Sequence, residues 1–441
     1  MTAVGAPERT DDRPGAFAPL RHAPFRFLVA GRTVTMLGNA VAPIALAFAV
    51  LDLTGSARDL GLVVGARSLA NVLFVLFGGV IADRLPRHLV MVGASLLAAT
   101  TQATVAATVL TGTATIPLLL ALSAVNGAVA ALSMPATAAM LPQTVPPGVR
   151  QQANALNRLS INGAMIVGAS LGGVLVAAVG PGWGLAVDAT TFALAAALFG
   201  LLRVAPPAAG AAAAMGEVAE AAASGGVGVS PSRASIFADL RVGWTEFRTR
   251  TWLWVVVAGF CVSNAAFAGG VGVLGPLVAD DTFGRKAWGL VLAAETAGMV
   301  IGGLVAIRLR LRHLLFYGVA WCLAELLLLG TLGIAPVVVL LILAALATGF
   351  GIEQFAVAWE TSMQEHVPAE KLARVYSYDM LGSFLAIPLG QVVAGPLAEA
   401  YGPRPVLVGA AALCGLVALA MLASRDVRRL PHELGLSEST T

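Results

Sequence analysis

The chain has 441 residues, of which 58% are hydrophobic and only 12% charged, and its mean hydropathy is +0.85. That mixture excludes an ordinary soluble domain and defines a polytopic membrane protein. A net charge of +3 gives no sign of a nucleic-acid partner.

Crossing a hydrocarbon core about 30 Å thick takes roughly twenty apolar residues as helix, because every backbone polar group must be satisfied internally. The apolar runs do not alternate as β-barrel strands would, so the fold class is all-α. The first 24 residues are polar and Pro-rich, without the basic start and apolar core of a cleavable signal peptide, and form a tail. Six spans follow near 27–51, 60–82, 89–111, 116–140, 155–179 and 184–202. A low-complexity stretch of Ala, Gly and Ser from Pro206 to Ser235, then a more polar segment to Arg250, predicts a flexible linker and a short amphipathic helix. Six further spans fall near 253–279, 287–307, 314–333, 336–362, 376–398 and 404–423. The expected organisation is therefore a tail (1–24), a six-helix bundle (25–203), a linker (204–250), a second six-helix bundle (251–424) and a tail (425–441).

Lys and Arg are retained on the cytoplasmic side of a membrane. With both termini placed inside, the outer loops hold only Arg58, Arg285, Lys286 and Arg404, which requires an even helix count and agrees with twelve. The two halves also repeat each other. Val145-Pro146 recurs as Val367-Pro368, and the same spacing carries Gly168 onto Gly390, Gly173 onto Gly395 and Gly180 onto Gly402. A duplicated six-helix unit is the plan of a transporter whose halves rock about a central site.

Cys261, Cys322 and Cys414 all lie in apolar runs and imply no disulfide framework. The five histidines lie in loops or termini without ligand spacing, so neither a metal nor another cofactor is expected. No nucleophile, metal or acid–base cluster sits at one membrane face, so the chain is not expected to be an enzyme.

Charge is concentrated in one turn, Gly79-Val80-Ile81-Ala82-Asp83-Arg84-Leu85-Pro86-Arg87-His88, between the second and third spans. Here the chain resembles the major facilitator superfamily, whose signature between helices two and three has the form Gly-x-x-x-Asp-Arg-x-x-Arg-basic. Gly168-Ala169-Ser170-Leu171-Gly172-Gly173 in helix five resembles the family's antiporter motif, with Ala169 in place of its proline. Phe25-Arg26, Gly31-Arg32, Leu53-Thr54-Gly55-Ser56, Trp359-Glu360-Thr361, Arg374-Val375 and Pro388-Leu389-Gly390 resemble the branch that includes the enterobactin exporter and macrolide efflux proteins. The resemblance implies a fold of twelve transmembrane helices in two pseudo-symmetric six-helix bundles. It also implies a gate in which Asp83 faces the N-terminal end of helix eleven while Arg84 and Arg87 pair with Asp379 or Glu360. Loop anchoring by the two arginines holds either way.

A charge inside a span costs about 2.5–3.5 kcal/mol on insertion scales, so each one asks for a reason. Glu295, Glu325, Glu353 and Glu360 lie well inside apolar runs. In this fold helices one, four, seven and ten line the cavity and two, five, eight and eleven flank it. That arrangement favours Glu295 and Glu353 as proton carriers, against fixed packing as the alternative, and Glu360 as a gate residue. Glu325 has no role assigned, and Asp188, placed one turn into helix six, is read as stabilising that helix's N-terminus. Gly168, Gly172, Gly173, Gly390 and Gly395 are read as helix-packing positions.

Cavity candidates on the lining helices are Thr35, Asn39, Asn126, Asn264, Phe267 and Gln354. A mostly apolar lining suits amphiphilic solutes. The expected function is proton-coupled efflux of a small amphiphilic compound by a monomer in a bacterial cytoplasmic membrane, a multidrug antiporter in type. The alternatives are a solute-uptake symporter of the same fold and, in a different class, a membrane sensor or assembly protein that transports nothing.

Overall fold

A computed structural model describes residues 15, 17–84, 86–202, 247–309 and 311–432, with the side chains of 76–84, 135, 138–139, 369–370, 373–374 and 377 excluded. The predicted linker helix before Phe247 lies outside the described residues. In chain order the long helices are α1 (Ala23–Thr54), α2 (Ala57–Arg84), α3 (Arg87–Leu110), α4 (Ile116–Met140), α5 (Arg150–Val179) and α6 (Pro181–Gly200). The second series is α7 (Thr251–Asp281), α8 (Arg285–Ala306), α9 (Leu314–Ile334), α10 (Val338–His366), α11 and α12 (Pro403–Ala423). Helix α11 runs as Ala369–Phe384 and then Ile387–Tyr401. Eleven of these spans are long and apolar enough to cross a membrane among the described residues. Helix α2, also 28 residues long, carries Arg58, Asp59 and Arg67.

Sequence sets the helix boundaries. Proline opens α1, α4, α6 and α12 within the first two positions, where its missing N–H has no partner to lose. The turns α5→α6 and α11→α12 are built alike. Gly180 (φ +92°) and Gly402 (φ +87°) each reverse the chain in a backbone region that side chains avoid, and Pro181 and Pro403 restart it.

Two helices depart from regular geometry. Helix α7 contains a π-helical turn at Gly270–Leu274, and α9 tightens to i→i+3 bonding around Cys322 and Leu323. Thr348 of α10 donates its hydroxyl to the Ala324 carbonyl at 2.8 Å, so the irregular backbone stays satisfied inside protein.

Helices α1 to α6 pack mainly on one another: α1 on α5 and α6, α2 on α4, and α3 on α4 and α6. Helices α7 to α12 do the same, with α7 on α11 and α12, α8 on α10, and α9 on α10 and α12. The main cross-links between these groups are α5 against α8 and α2 against α11. The result is an all-α membrane fold with pseudo-two-domain packing. Its tightest crossings use duplicated glycines. A Cβ at Gly127 of α4 would overlap the backbone of Arg67 on α2, and one at Gly349 of α10 would overlap the backbone of Glu295 on α8.

Candidate functional site

At the Thr54 end of α1 the two helix groups are latched together. Arg285, the first residue of α8, donates to both carboxylate oxygens of Asp52 at the end of α1, with Nη1 to Oδ2 at 2.9 Å. Its Nε holds Asp280 of α7 at 2.7 Å, and its guanidinium carbon lies 4.7 Å from the centre of the Phe48 ring. Ser56 Oγ adds a 3.2 Å hydrogen bond to Glu399 of α11. The helices close on one another at this end because side chains are missing. A Cβ on Gly173 would lie 2.8 Å from Gly289 Cα, and one on Gly395 would lie 2.6 Å from the Ala57 carbonyl. Gly168, Gly172 and Gly390 sit inside the groups instead, against Leu37 and Ala40, Val41, and Ala265 respectively.

Within the first group a cavity of about 400 Å³ lies between α1, α3, α4 and α6. Its walls include Arg32, Thr35, Asn39, Ser95 and Asn126, together with Met36, Met91 and Phe192. Thr35, Ser133 and Thr137 each donate their hydroxyl to a carbonyl of their own helix, so toward the cavity these groups can only accept. Asn39 and Ser95 also bring donors to this wall, and Asn126 Nδ2 and Arg32 Nε are buried without a hydrogen-bond partner. A larger groove of about 710 Å³ between α7, α11 and α12 carries no charged side chain to orient a solute.

Three of the sequence-derived cavity positions, Thr35, Asn39 and Asn126, therefore line one cavity. Gln354 is instead buried and donates to the Gly302 carbonyl at 2.7 Å, while Asn264 donates to the Ser383 carbonyl at 2.9 Å. Phe267 packs against the apolar core. Alongside these, Phe260 of α7 and Phe355 of α10 stack at 4.0 Å between ring centres, and Trp359 continues the stack.

Of the gate positions, Gly79, Asp83 and Arg84 close helix α2, and their side chains lie outside the described residues. Arg87 opens α3. Asp379 accepts from Trp359 Nε1 at 3.0 Å and Ser383 Oγ at 3.1 Å. Glu360 accepts from Tyr376 and Gln364, both at 2.6 Å. Partial burial and then the bond to Glu360 push the Tyr376 phenol, which lies just before the Tyr378–Tyr401 span, up to about 12.

Glu295 is half-buried on α8. Glu353 of α10 packs against Gly302 and Gly303 of α8 and feels the charge of Arg158 on α5, across the boundary between the groups. Two further acids are more deeply placed. Glu325 is 5% exposed and accepts from Ser263 Oγ, with the Cys414 thiol beside it. Asp188 is fully buried and accepts from Gln102. Helix α6 begins at Pro181, two turns before Asp188, so this acid does not stabilise the helix N-terminus as the sequence suggested. Sequence reasoning could flag these acids as charges in apolar runs, but not their partners, which come from other helices.

Twelve long helices among the described residues, a latch between two helix groups and a cavity away from it are the plan of a membrane transport protein. The sequence matches the Major Facilitator Superfamily over residues 28–387, and the chain belongs to that family. Comparison with curated proteins returns no significant match. Among solved structures the chain is similar to the nucleoside transporter NupG, with a TM-score of 0.69 and 13% identity over 91% of this chain and 98% of that one. It is similar to the peptide transporter POT in complex with sulfate, with a TM-score of 0.66 and 15% identity over 95% and 97%. A D-xylose-proton symporter gives a TM-score of 0.62 and 15% identity over 90% and 96%.

These neighbours correct one expectation. Residues of helices one, ten and eleven pointed to the enterobactin and macrolide exporter branch, and those of helix five to an antiporter, hence to efflux and multidrug resistance. The similar structures are instead nucleoside, peptide and sugar transporters, one of them a proton symporter. The local motifs misled because they belong to the moving scaffold that the family shares, whereas direction and cargo are set in the cavity.

Proposed function

We propose that this chain is a secondary active transporter that takes up a small polar solute by alternating access, in symport with protons. Its twelve helices form two six-helix bundles, 25–203 and 251–424, counting α2 as the twelfth span. In this reading the protein sits in a bacterial inner membrane, and the distribution of basic residues supports cytoplasmic termini with the Asp52–Arg285 latch at the outer face. The single observation that carries the reading is that latch. Two helix groups joined by an ion pair and bare glycine contacts at one end are built to part there, and a solute site between two such states is what alternating access needs. Asp83, Arg84 and Arg87 serve as the opposing inner gate, and Glu353, packed against Gly302 and Gly303 of α8, carries charge between the two states.

The cavity offers one cation, two side-chain amides and several hydroxyl oxygens on an otherwise apolar wall. A solute with a compact polar end and an apolar or aromatic body fits that chemistry. Nucleosides, peptides and D-xylose, after which the similar transporters are named, form the first test panel. Cells expressing the chain should accumulate at least one of these radiolabelled probes above control cells, and a protonophore should abolish the accumulation. Accumulation that persists after the proton gradient is collapsed rejects symport with protons. Outward movement of preloaded probe down no gradient of its own rejects uptake.

A further inference from the structure

We infer that Asp188 of α6, together with Thr191, forms a proton-exchange site directly behind the wall of the cavity in the first bundle. One carboxylate oxygen of Asp188 accepts from Gln102 of α3, and the other, Oδ1, is buried with no hydrogen-bond partner. Thr191 spends its own proton on the Asp188 backbone carbonyl at 2.7 Å, so its oxygen can only accept. Both oxygens converge on the same face of Gly38 in α1, where a Cβ would overlap them. Two buried acceptors side by side without a donor form a costly arrangement. A proton on Asp188 Oδ1, donated toward Thr191 Oγ1, satisfies both. When that proton leaves, the charge of Arg67 on α2 is the one that acts on the carboxylate.

The second half provides a contrast. Within a residue of the spacing that relates the halves, Gln102 maps onto Glu325 and Thr191 onto Cys414. There Glu325 accepts from Ser263 Oγ, and the Cys414 thiol beside it donates to the Ser263 backbone carbonyl at 3.9 Å. The same three-helix junction is thus filled in one half and one donor short in the other.

Connection to the cavity is by adjacent residues. Gly38 backs onto the acid while Asn39 lines the cavity, and Thr191 backs onto the acid while Phe192 lines it. Ala98, one turn before Gln102 on α3, completes that wall. A change in how α1 and α6 meet, forced by gaining or losing the proton, must therefore move cavity-lining residues. Helix α6 packs on α1, α3 and α5. Of the charged residues on those helices, Arg32 lines the cavity itself, Arg158 stands two turns into α5, and Arg26, Asp52, Arg87, His88 and Arg150 stand nearer the helix ends; the charged group that bears on Asp188 is Arg67 of α2.

The inference deepens the symport reading and rests on it, but it can be tested without any solute. Infrared difference spectra of the full-length protein in lipid, recorded between acid and alkaline buffers, should contain a protonated-carboxyl C=O band. Asp188→Asn, whose amide oxygen can still accept from Gln102, should lose that band, and Glu325→Gln should keep it. Thr191→Val should shift its frequency, because the acceptor of the acid proton is gone. Identical spectra for wild type and Asp188→Asn overturn the inference. Should that variant fail to fold, an unshifted band in Thr191→Val overturns it instead. Loss of the band on adding sodium at fixed pH overturns it in favour of a metal cation. A missing band beside intact proton-driven uptake defeats this inference alone, and a present band without uptake defeats the transport reading alone.

Discussion

Arg285 and Asp52 face each other across the two halves of the protein, joined through both carboxylate oxygens although some 230 residues of chain, on the order of a whole domain, separate them. Asp280 shares the guanidinium, so removing Asp52 leaves the arginine a partner in its own half, whereas removing Arg285 leaves two acids facing each other. Arg285→Gln should therefore open this end more than Asp52→Asn does. Both side chains are partly exposed, so the expected effect is about 1 kcal/mol, roughly a fivefold change in the ratio of the two states. Spin labels at Thr54 and Lys286 in a cysteine-free background should report a larger long-distance fraction. An unchanged distance distribution in Arg285→Gln would show that the latch does not bias the equilibrium.

Gly289 gives an independent handle on the same end. A Cβ there would stand 2.6 Å from the Ala169 carbonyl and 2.7 Å from Gly173 Cα, both backbone groups that cannot swing aside. Gly289→Ala should raise the energy of the closed arrangement by about 1–3 kcal/mol, the usual range for overpacking. The same label pair should then show the separated population dominating. By contrast, Gly163→Ala on α5, where added bulk meets open space, should leave the distribution as in the wild type.

Much of the fold is legible in the sequence because membrane helices obey a local rule: each span must be apolar over its own length. The apolar runs, the Gly180-Pro181 and Gly402-Pro403 turns and the family signature at Gly79 to His88 all follow from residues close together in the chain. The site is less legible because its chemistry is assembled from separate helices. Thr35, Asn39 and Asn126 can be picked as polar residues on the helices expected to line a central cavity, and the three share the wall of a cavity within the first helix group. Nothing local in Gln102, Asp188 or Gly38 reveals that they meet. Nor does Arg285, at the edge of an apolar run, announce a partner in α1. The exporter expectation failed for a related reason, since it was read from scaffold residues and not from the cavity.

Tyr376 makes a prediction about pH. Its phenol is shifted from 10.0 to about 12 by partial burial and by its bond to Glu360. Among the four tyrosines one should therefore ionise late in an ultraviolet titration, and Tyr376→Phe should remove that late phase. Because the folded-state value is the higher one, whatever stability this contact adds is fully present below pH 10 and is lost as pH rises toward 12. A titration in which all tyrosines ionise together would contradict the contact with Glu360.

Glu325 tests whether a buried acid on α9 is structural. Ser263 Oγ donates to it inside a core that includes Leu328, Leu329 and Cys414. Ser263→Ala strips away a donor and leaves the acid buried and underpaired, which should lower the unfolding midpoint in a fixed detergent by the equivalent of about 1–2 kcal/mol. Glu325→Gln keeps an oxygen able to accept from Ser263, so it should cost less. The combination Ser263→Ala with Glu325→Leu replaces both partners by apolar groups and should recover most of the loss, since a fully apolar junction has nothing left unsatisfied. Uptake kinetics should follow stability in this series, with the proton dependence unchanged. If Glu325→Gln instead keeps the wild-type midpoint but loses proton-driven accumulation, the acid takes part in coupling and the division of labour between Asp188 and Glu325 is reversed.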